Sequence, residues 1–344
     1  MIRHQYLERE TLRVCDEKFY GDALIRFLYS EVREHAPSLF RALTAARMSR
    51  LLCFFNYDFF LTRKLSGIEA FVRSSGIDLS ECVDPPEALD TPKKIFDRKI
   101  RYWECRPMPK QPDIVVSPAD ARMLIGSFSE SSSLFVKGKF FDYEELLGRD
   151  RPAWLRAFRD GDYAVFRLSP DRYHYNHVPV SGVVADFYEV PGLYHSCNPQ
   201  VLAHVPGPYS KNRRVVTLID TDTPGGARVG LVAMIEVVAL MIGQIRQCYS
   251  EERYDDSRPI SPGMYLRKGG PKSLYLPGSS TDILIFQKGR VSFLPEIIRN
   301  MWRTDVRSRI SAVAGRPLVE TDVKVRSAIA YAREAQPIRR EKVE

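Results

Sequence analysis

With 344 residues, 44% of them hydrophobic and 27% charged, the chain carries enough apolar material for one large domain or two smaller ones; this composition excludes a disordered or low-complexity protein. A formal net charge of +8 favours anionic partners, nucleic acid or an anionic membrane face, although a basic soluble enzyme satisfies the same number. No apolar run reaches the roughly 18 residues of a membrane span, since the longest, 230–245, is interrupted by Glu236, and no basic-then-apolar leader opens the chain, so a cytoplasmic protein with at most peripheral membrane contact is expected.

From about residue 20 to 65 the apolar residues fall at helical spacing: Leu24, Phe27, Leu28 and Val32, then Leu39, Phe40 and Leu43, then Leu51, Leu52 and Phe55. Pro37 divides the first helix from the second. Arg26, Arg33, Arg41, Arg47, Arg50, Arg63 and Lys64 are interleaved with them. A basic amphipathic helix lies on an anionic membrane, or packs on its own domain with a solvated basic face; the pattern fits both. Residues 80–91 read as a loop, and 93–106 lead into Pro107 and Pro109.

Beyond that point short β-rich runs separated by Gly, Pro and Asp turns dominate: 113–116, 133–137, 163–168, 182–190, 215–219, 229–245 and 281–287. Residues 140–147 and 154–158 read as short helical insertions. The fold class expected is α+β, a helical N-terminal region followed by a mainly antiparallel β catalytic domain. The boundaries are 1–92 for the helical region, 93–332 for the catalytic domain and 333–344 for a charged tail. The six cysteines (Cys15, Cys53, Cys82, Cys105, Cys197, Cys248) show no C-x-x-C pair and suit free thiols in a reducing compartment.

Three segments carry candidate chemistry. Four of the six histidines (His174, His177, His195, His204) fall in one window, two of them as H-x-x-H in Tyr173-His174-Tyr175-Asn176-His177. Asp120 ends Ser117-Pro118-Ala119-Asp120. The turn Leu276-Pro277-Gly278-Ser279-Ser280-Thr281 delivers hydroxyls to the head of the apolar run Ile283-Leu284-Ile285-Phe286. A metal would need further ligands that no spacing forces together, so none is expected. An Asp, His and Ser set supports proton abstraction from a serine hydroxyl, although a chain of this length contains such a trio by chance.

Taken together these segments resemble the phosphatidylserine decarboxylases. The resemblance runs from about residue 93 to 290 through Arg106-Pro107, Ser117-Pro118-Ala119-Asp120, Phe135-Val136-Lys137-Gly138, Leu146-Leu147-Gly148, Leu168-Ser169-Pro170, Tyr173-His174 with His177 and Pro179, Cys197-Asn198-Pro199, Asn212, Val238-Ala239 with Gly243, Lys268-Gly269 and the Gly-Ser-Ser-Thr turn. It implies a self-cleaving proenzyme: Ser280 attacks the carbonyl of Ser279, His177 is the general base and Asp120 orients it. The ester then eliminates, and a covalent pyruvoyl group derived from Ser280 remains at the head of the smaller chain, 280–344. That group would form a Schiff base with the serine headgroup and release CO2 to give phosphatidylethanolamine, with His174 as proton donor or substrate positioner. The implied partners are phosphatidylserine or another serine-headed substrate, an anionic membrane surface on its inner face, and the two cleavage chains held together. Homo-oligomerisation stays open, and no nucleic acid is expected.

The chain departs from the family pattern at several positions. Ser279 replaces the usual glycine, Ala121 another glycine, Arg213 an acidic residue, and Asp282 an apolar one. Counting from Lys268-Gly269 points to Ser279 as nucleophile and counting back from Phe286 points to Ser280; a Gly-Gly-Ser-Thr variant of the family favours Ser280, with cleavage before Ser279 as the alternative. Two other readings stand beside the lipid enzyme: a soluble pyruvoyl-dependent decarboxylase of a free amino acid or similar small molecule, and an uncleaved relative that only binds lipid.

Overall fold

A computed structural model describes residues 3–17, 19, 25, 27–44, 72–73, 76–131, 142–196, 198–199, 201, 207–239, 244–277 and 280–333. Much of the expected 20–65 helical stretch, including Arg47, Arg50, Arg63 and Lys64, lies outside these residues, as do the strand expected at 133–137, Cys53, Cys197, His204, Gly243, Ser279 and the tail after 333.

The core is a ten-stranded sheet. From edge to edge it runs β11 (Tyr265–Leu266), β7 (Gly182–Val190), β8 (Arg214–Asp220), β9 (Leu231–Val238), β13 (Ser280–Phe286), β5 (Asp162–Leu168), β4 (Ala121–Ser127), β15 (Thr321–Val323), β1 (Gln5–Glu8) and β2 (Val14–Asp16). Every neighbouring pair is antiparallel except β1 beside β15. The fold is α+β, as the alternation of short strands and turns predicts. The run Ile283-Leu284-Ile285-Phe286 is wholly buried because β13 is central and covered on both faces. The run expected at 229–245 is too long for one strand: β9 stops at Val238, and the chain resumes pairing in β10 (Ile245–Gln247).

Two smaller sheets complete the β structure. One is β10, β12 (Pro271–Tyr275) and β6 (Tyr175–His177); the other is β14 (Val291–Phe293), β16 (Ala328–Ala332) and β3 (Ile114–Val116). The insertions read at 140–147 and 154–158 are the helices Tyr143–Leu147 and Pro152–Ala157.

The N-terminal 92 residues are not helical throughout. Residues 28–32 form a π-helical turn that runs into Arg33–His35, and Pro37–Leu43 follows after Ala36 leaves helical geometry, as a residue before proline tends to do. Ahead of them β1 and β2 join the main sheet, strands of three and four residues that are too short for a periodicity to announce. A buried ionic network fixes them: Arg167 reaches Glu17 and Glu320 at 2.6 Å each, Arg122 lies 3.2 Å from Glu17, and His4 bonds Glu320 at 2.7 Å. Three of these groups, His4, Glu17 and Glu320, are close enough to share a metal ion, but the two guanidiniums already neutralise the carboxylates.

Candidate active site

Strand register brings the sequence-predicted residues to one end of the main sheet. Ser280 opens β13 opposite Leu168 of β5 and Val238 of β9. On the next strand, Arg122 of β4 pairs Arg167, so Asp120, immediately before β4, stands at the same end. From Leu168 the chain turns through Ser169–Arg172 into His174 and β6. β6 pairs with β12, where Pro271 lies opposite His177, and the amide of Tyr275 donates to the carbonyl of His174. The segment ahead of Ser280 is thereby bonded to the backbone of His174 and lies in register with His177.

Ser280 is fully buried, and its hydroxyl has no hydrogen-bond partner among the described residues. The hydroxyls of Thr217, Thr281 and Thr321 are buried and unpartnered too, so what singles out Ser280 is its place at the head of β13.

His177 is fully buried and held from both sides. Its Nδ1 lies 2.9 Å from the carbonyl of Gly269, and its Nε2 lies 2.9 Å from the phenol of Tyr173. A carbonyl only accepts, so Nδ1 carries the proton and Nε2 presents its lone pair. Tyr173 in turn meets Tyr254 at 2.8 Å. Burial, opposed by the Gly269 carbonyl, lowers the His177 pKa to about 3, so the ring is neutral at physiological pH. Gly269 has φ +78, and a side chain there would collide with Met108, so only glycine allows this turn to aim its carbonyl at the ring.

Asp120 and His177 share no hydrogen bond. Asp120 accepts from Arg106 Nη2 at 2.8 Å and Nε at 3.0 Å, and from the Val325 amide at 2.7 Å. Burial opposes its charge, but Arg106 more than compensates and holds the carboxyl below the usual range. Arg106 also grips Glu81 at 2.9 Å. The direct orienting contact expected between Asp120 and His177 is therefore replaced in this structure by a shared turn: the His177 amide donates to the carbonyl of Pro118 at 2.7 Å, two residues before Asp120.

His174 is fully buried and stacked on Phe96 at 3.7 Å; its ring faces the backbone of Pro170 and Ser169 without a well-aligned hydrogen bond. Burial and the nearby Arg98 lower its pKa to about 3. His195 is elsewhere: it packs against Phe40 and meets Tyr29 of the N-terminal helices at 3.3 Å.

Sequence reasoning missed three contributors. Tyr173 and Gly269 appear only as parts of longer motifs, and nothing in one sequence shows that they bracket His177. Asn212 bonds the backbone of His195 in both directions and the carbonyl of Val238, the residue beside Ser280. Asp282, noted as a departure, is fully buried; it accepts from Tyr275 at 2.7 Å and lies opposite Glu236, which Lys272 neutralises at 2.7 Å.

A buried serine without a hydrogen-bond partner among the described residues, tied by its strand neighbours to neutral histidines, has the residue types that can activate a serine hydroxyl. Residues 93–310 match the family model for phosphatidylserine decarboxylase. Curated relatives called phosphatidylserine decarboxylase proenzyme include one from Bordetella petrii, 34% identical over 65% of this chain and 78% of the relative. Others come from Fusobacterium nucleatum, 29% identical over 86% of this chain and 91% of the relative, and Chlamydia trachomatis, 29% over 85% and 90%. The chain belongs to the phosphatidylserine decarboxylase family and is a decarboxylase of the carboxy-lyase class.

Proposed function

We propose that this protein converts phosphatidylserine to phosphatidylethanolamine after cutting its own chain between Ser279 and Ser280. The observation that carries the proposal is the Ser280 hydroxyl, buried without a partner at the head of β13 in a family whose relatives are named proenzymes.

In this reading the Tyr173 hydroxyl turns away from His177 Nε2, whose one lone pair then takes the proton of Ser280 Oγ; that oxygen bonds to the carbonyl carbon of Ser279 while the peptide C–N bond breaks and its nitrogen gains a proton. Loss of the Ser280 α-proton and the Cβ–Oγ bond frees residues 1–279 with a carboxylate, and water then displaces ammonia to leave a pyruvoyl terminus. When present, that group supplies an electron sink for the electrons released with CO2. The neutral ring of His174, which makes no well-aligned hydrogen bond of its own, positions the headgroup and carries a proton for the decarboxylation half. Asp120, clamped by Arg106, keeps a fixed negative charge near His177 that favours the imidazolium formed in the first step.

Attachment to the inner face of the membrane is peripheral in this reading. No described helix is long and apolar enough to cross a membrane, and Phe27 and Leu39 of the N-terminal helices are each more than half exposed, at 56% and 52%. Flotation with anionic vesicles tests that contact.

Intact mass spectrometry tests the central claim. Two chains, with the smaller beginning at residue 280 and lacking its terminal amine, are expected; a single chain that stays whole on incubation overturns it. A first residue of 279 in the smaller chain moves the nucleophile to Ser279.

A further inference from the structure

Arg98 is a cation buried without a counter-ion. It is 7% exposed, and among the described residues no carboxylate lies within ion-pair distance of it. Its two hydrogen bonds go to backbone carbonyls, Nη1 to Ile95 at 2.9 Å and Nη2 to Asp171 at 2.8 Å. A guanidinium has five N–H donors, and these bonds use two of them. The acids that influence it are already engaged: Asp120 and Glu81 with Arg106, Asp171 with Arg172.

The ordinary role for such a residue is a cap on the helix Pro92–Phe96 and a clip on the 169–172 turn. A neutral donor would serve those carbonyls as well. Burying a full charge costs several kcal/mol unless an opposite charge meets it, so the positive charge itself needs an explanation.

The surroundings supply one. Phe96, two residues earlier, stacks on His174, whose ring meets only the backbone of Pro170 and Ser169 without a well-aligned hydrogen bond among the described residues, and the Arg98 charge acts on the His174 ring. Asp171, which Arg98 holds, lies between Leu168, the strand partner of Ser280, and His174. A cation with no counter-ion among the described residues and a weakly held imidazole thus share one corner of the site, and the N–H groups of both match an anionic ligand.

Resting on the function proposed above, we propose that Arg98 is the residue that binds the phosphodiester of the substrate headgroup, with His174 beside it. The other anion of a serine headgroup is its carboxylate. Pairing that group would stabilise a charge that disappears in the transition state and would slow its loss as CO2, whereas the phosphodiester keeps its charge throughout and can be held at no cost to the chemistry. A planar guanidinium suits two oxygens of one phosphate.

Calorimetric titration of the full protein with glycerophosphoethanolamine, which has the phosphodiester but no carboxylate, tests the assignment. Ethanolamine is the phosphate-free control and inorganic phosphate the free-anion control. Arg98→Gln should weaken glycerophosphoethanolamine about tenfold or more and leave ethanolamine unchanged. Unchanged affinity for glycerophosphoethanolamine, or equal loss for both amines, overturns the proposal. Inorganic phosphate binding more tightly than glycerophosphoethanolamine overturns the headgroup assignment in favour of a free-phosphate site. If Arg98→Gln does not fold, judged by its melting transition, Arg98→Lys decides: it keeps the charge and loses the fork, so about a threefold weakening is expected and wild-type affinity overturns the proposal. Failure of the functional reading shows separately, as a wild-type chain that never cleaves.

Discussion

The phenol of Tyr173 and Nε2 of His177 stand 2.9 Å apart, and this contact, opposite the Gly269 carbonyl, fixes the ring from its reactive side. Burial and the neighbouring Tyr254 raise the Tyr173 pKa well above its ordinary value, so the phenol stays a donor. Tyr254 gives its one proton to the Ile100 carbonyl at 2.8 Å, so the single proton of Tyr173 is shared between Tyr254 and Nε2. Tyr173→Phe removes the side-chain hydrogen bond that Nε2 makes among the described residues and leaves the ring hydrogen-bonded from one side. Self-cleavage should slow about tenfold, within the usual worth of a positioned acid–base group. A time course of chain cleavage on a denaturing gel measures it, and wild-type kinetics in the variant would show that Gly269 alone sets the ring.

His174 and His177 make the protein acid-sensitive in a defined window. Both rings have folded-state pKa values of about 3, lowered first by burial, against about 6.5 in an unfolded chain. The unfolded state therefore binds more protons between these values. Stability is fully present above pH 6.5 and is lost as pH falls towards 3, each histidine contributing a slope of up to about 1.4 kcal/mol per pH unit. Between pH 6.5 and 5 the lowered carboxylates Asp120 and Glu320 are still ionised in both states and add little. Denaturant melts at pH 7, 6 and 5 should show the loss, and a His174→Gln variant should show a shallower slope. Equal slopes in variant and wild type would mean that His174 is solvated.

How much of this could be read from the sequence depends on the reach of each signal. The β13 run, the 182–190 strand and the helix break at Pro37 are local and legible. The residues Asp120, His177 and Ser280 could be named as a set, yet their partners could not, because Arg106 and Val325 reach Asp120 across 14 and 205 residues of chain and Gly269 reaches His177 across 92. The strands β1 and β2 were illegible for another reason: they are stabilised by β15 and by the Arg167 network, not by their own pattern.

Asp120 is charged because Arg106 is beside it, and the converse holds. Arg106→Met would leave Asp120, 5% exposed, without its cation. Breaking a buried pair by removing one partner costs about 3–5 kcal/mol. The variant should unfold at markedly lower denaturant and cleave poorly. Asp120→Asn should keep more stability, since the amide oxygen still accepts from Val325 and Glu81 still meets Arg106, yet lose cleavage because the fixed charge near His177 is gone. Equal stability of Arg106→Met and wild type, read from denaturant midpoints, would show that the pair contributes nothing.

Asp282 is the opposite case, a buried acid with no cation of its own. Burial and the facing Glu236 push its pKa well up, while the Tyr275 hydroxyl and Lys272 oppose them; Lys272 is committed to Glu236 at 2.7 Å. Burial and Glu236 thus favour the protonated form of Asp282 in the folded chain. An unfolded aspartate ionises near pH 4, so above that pH the folded chain binds the extra proton and stability falls as pH rises, until the folded group also ionises. Asp282→Asn places a neutral side chain of the same shape against Tyr275 and carries no such penalty. The variant should therefore gain on wild type as pH increases from 5 to 8, by up to about 1.4 kcal/mol per pH unit, and should still cleave itself. Paired denaturant melts at the two ends of that range decide the matter. A difference between variant and wild type that stays flat with pH, or an asparagine variant that loses ground at pH 8, would show that Asp282 is ionised in the folded protein and that its charge is held by Lys272.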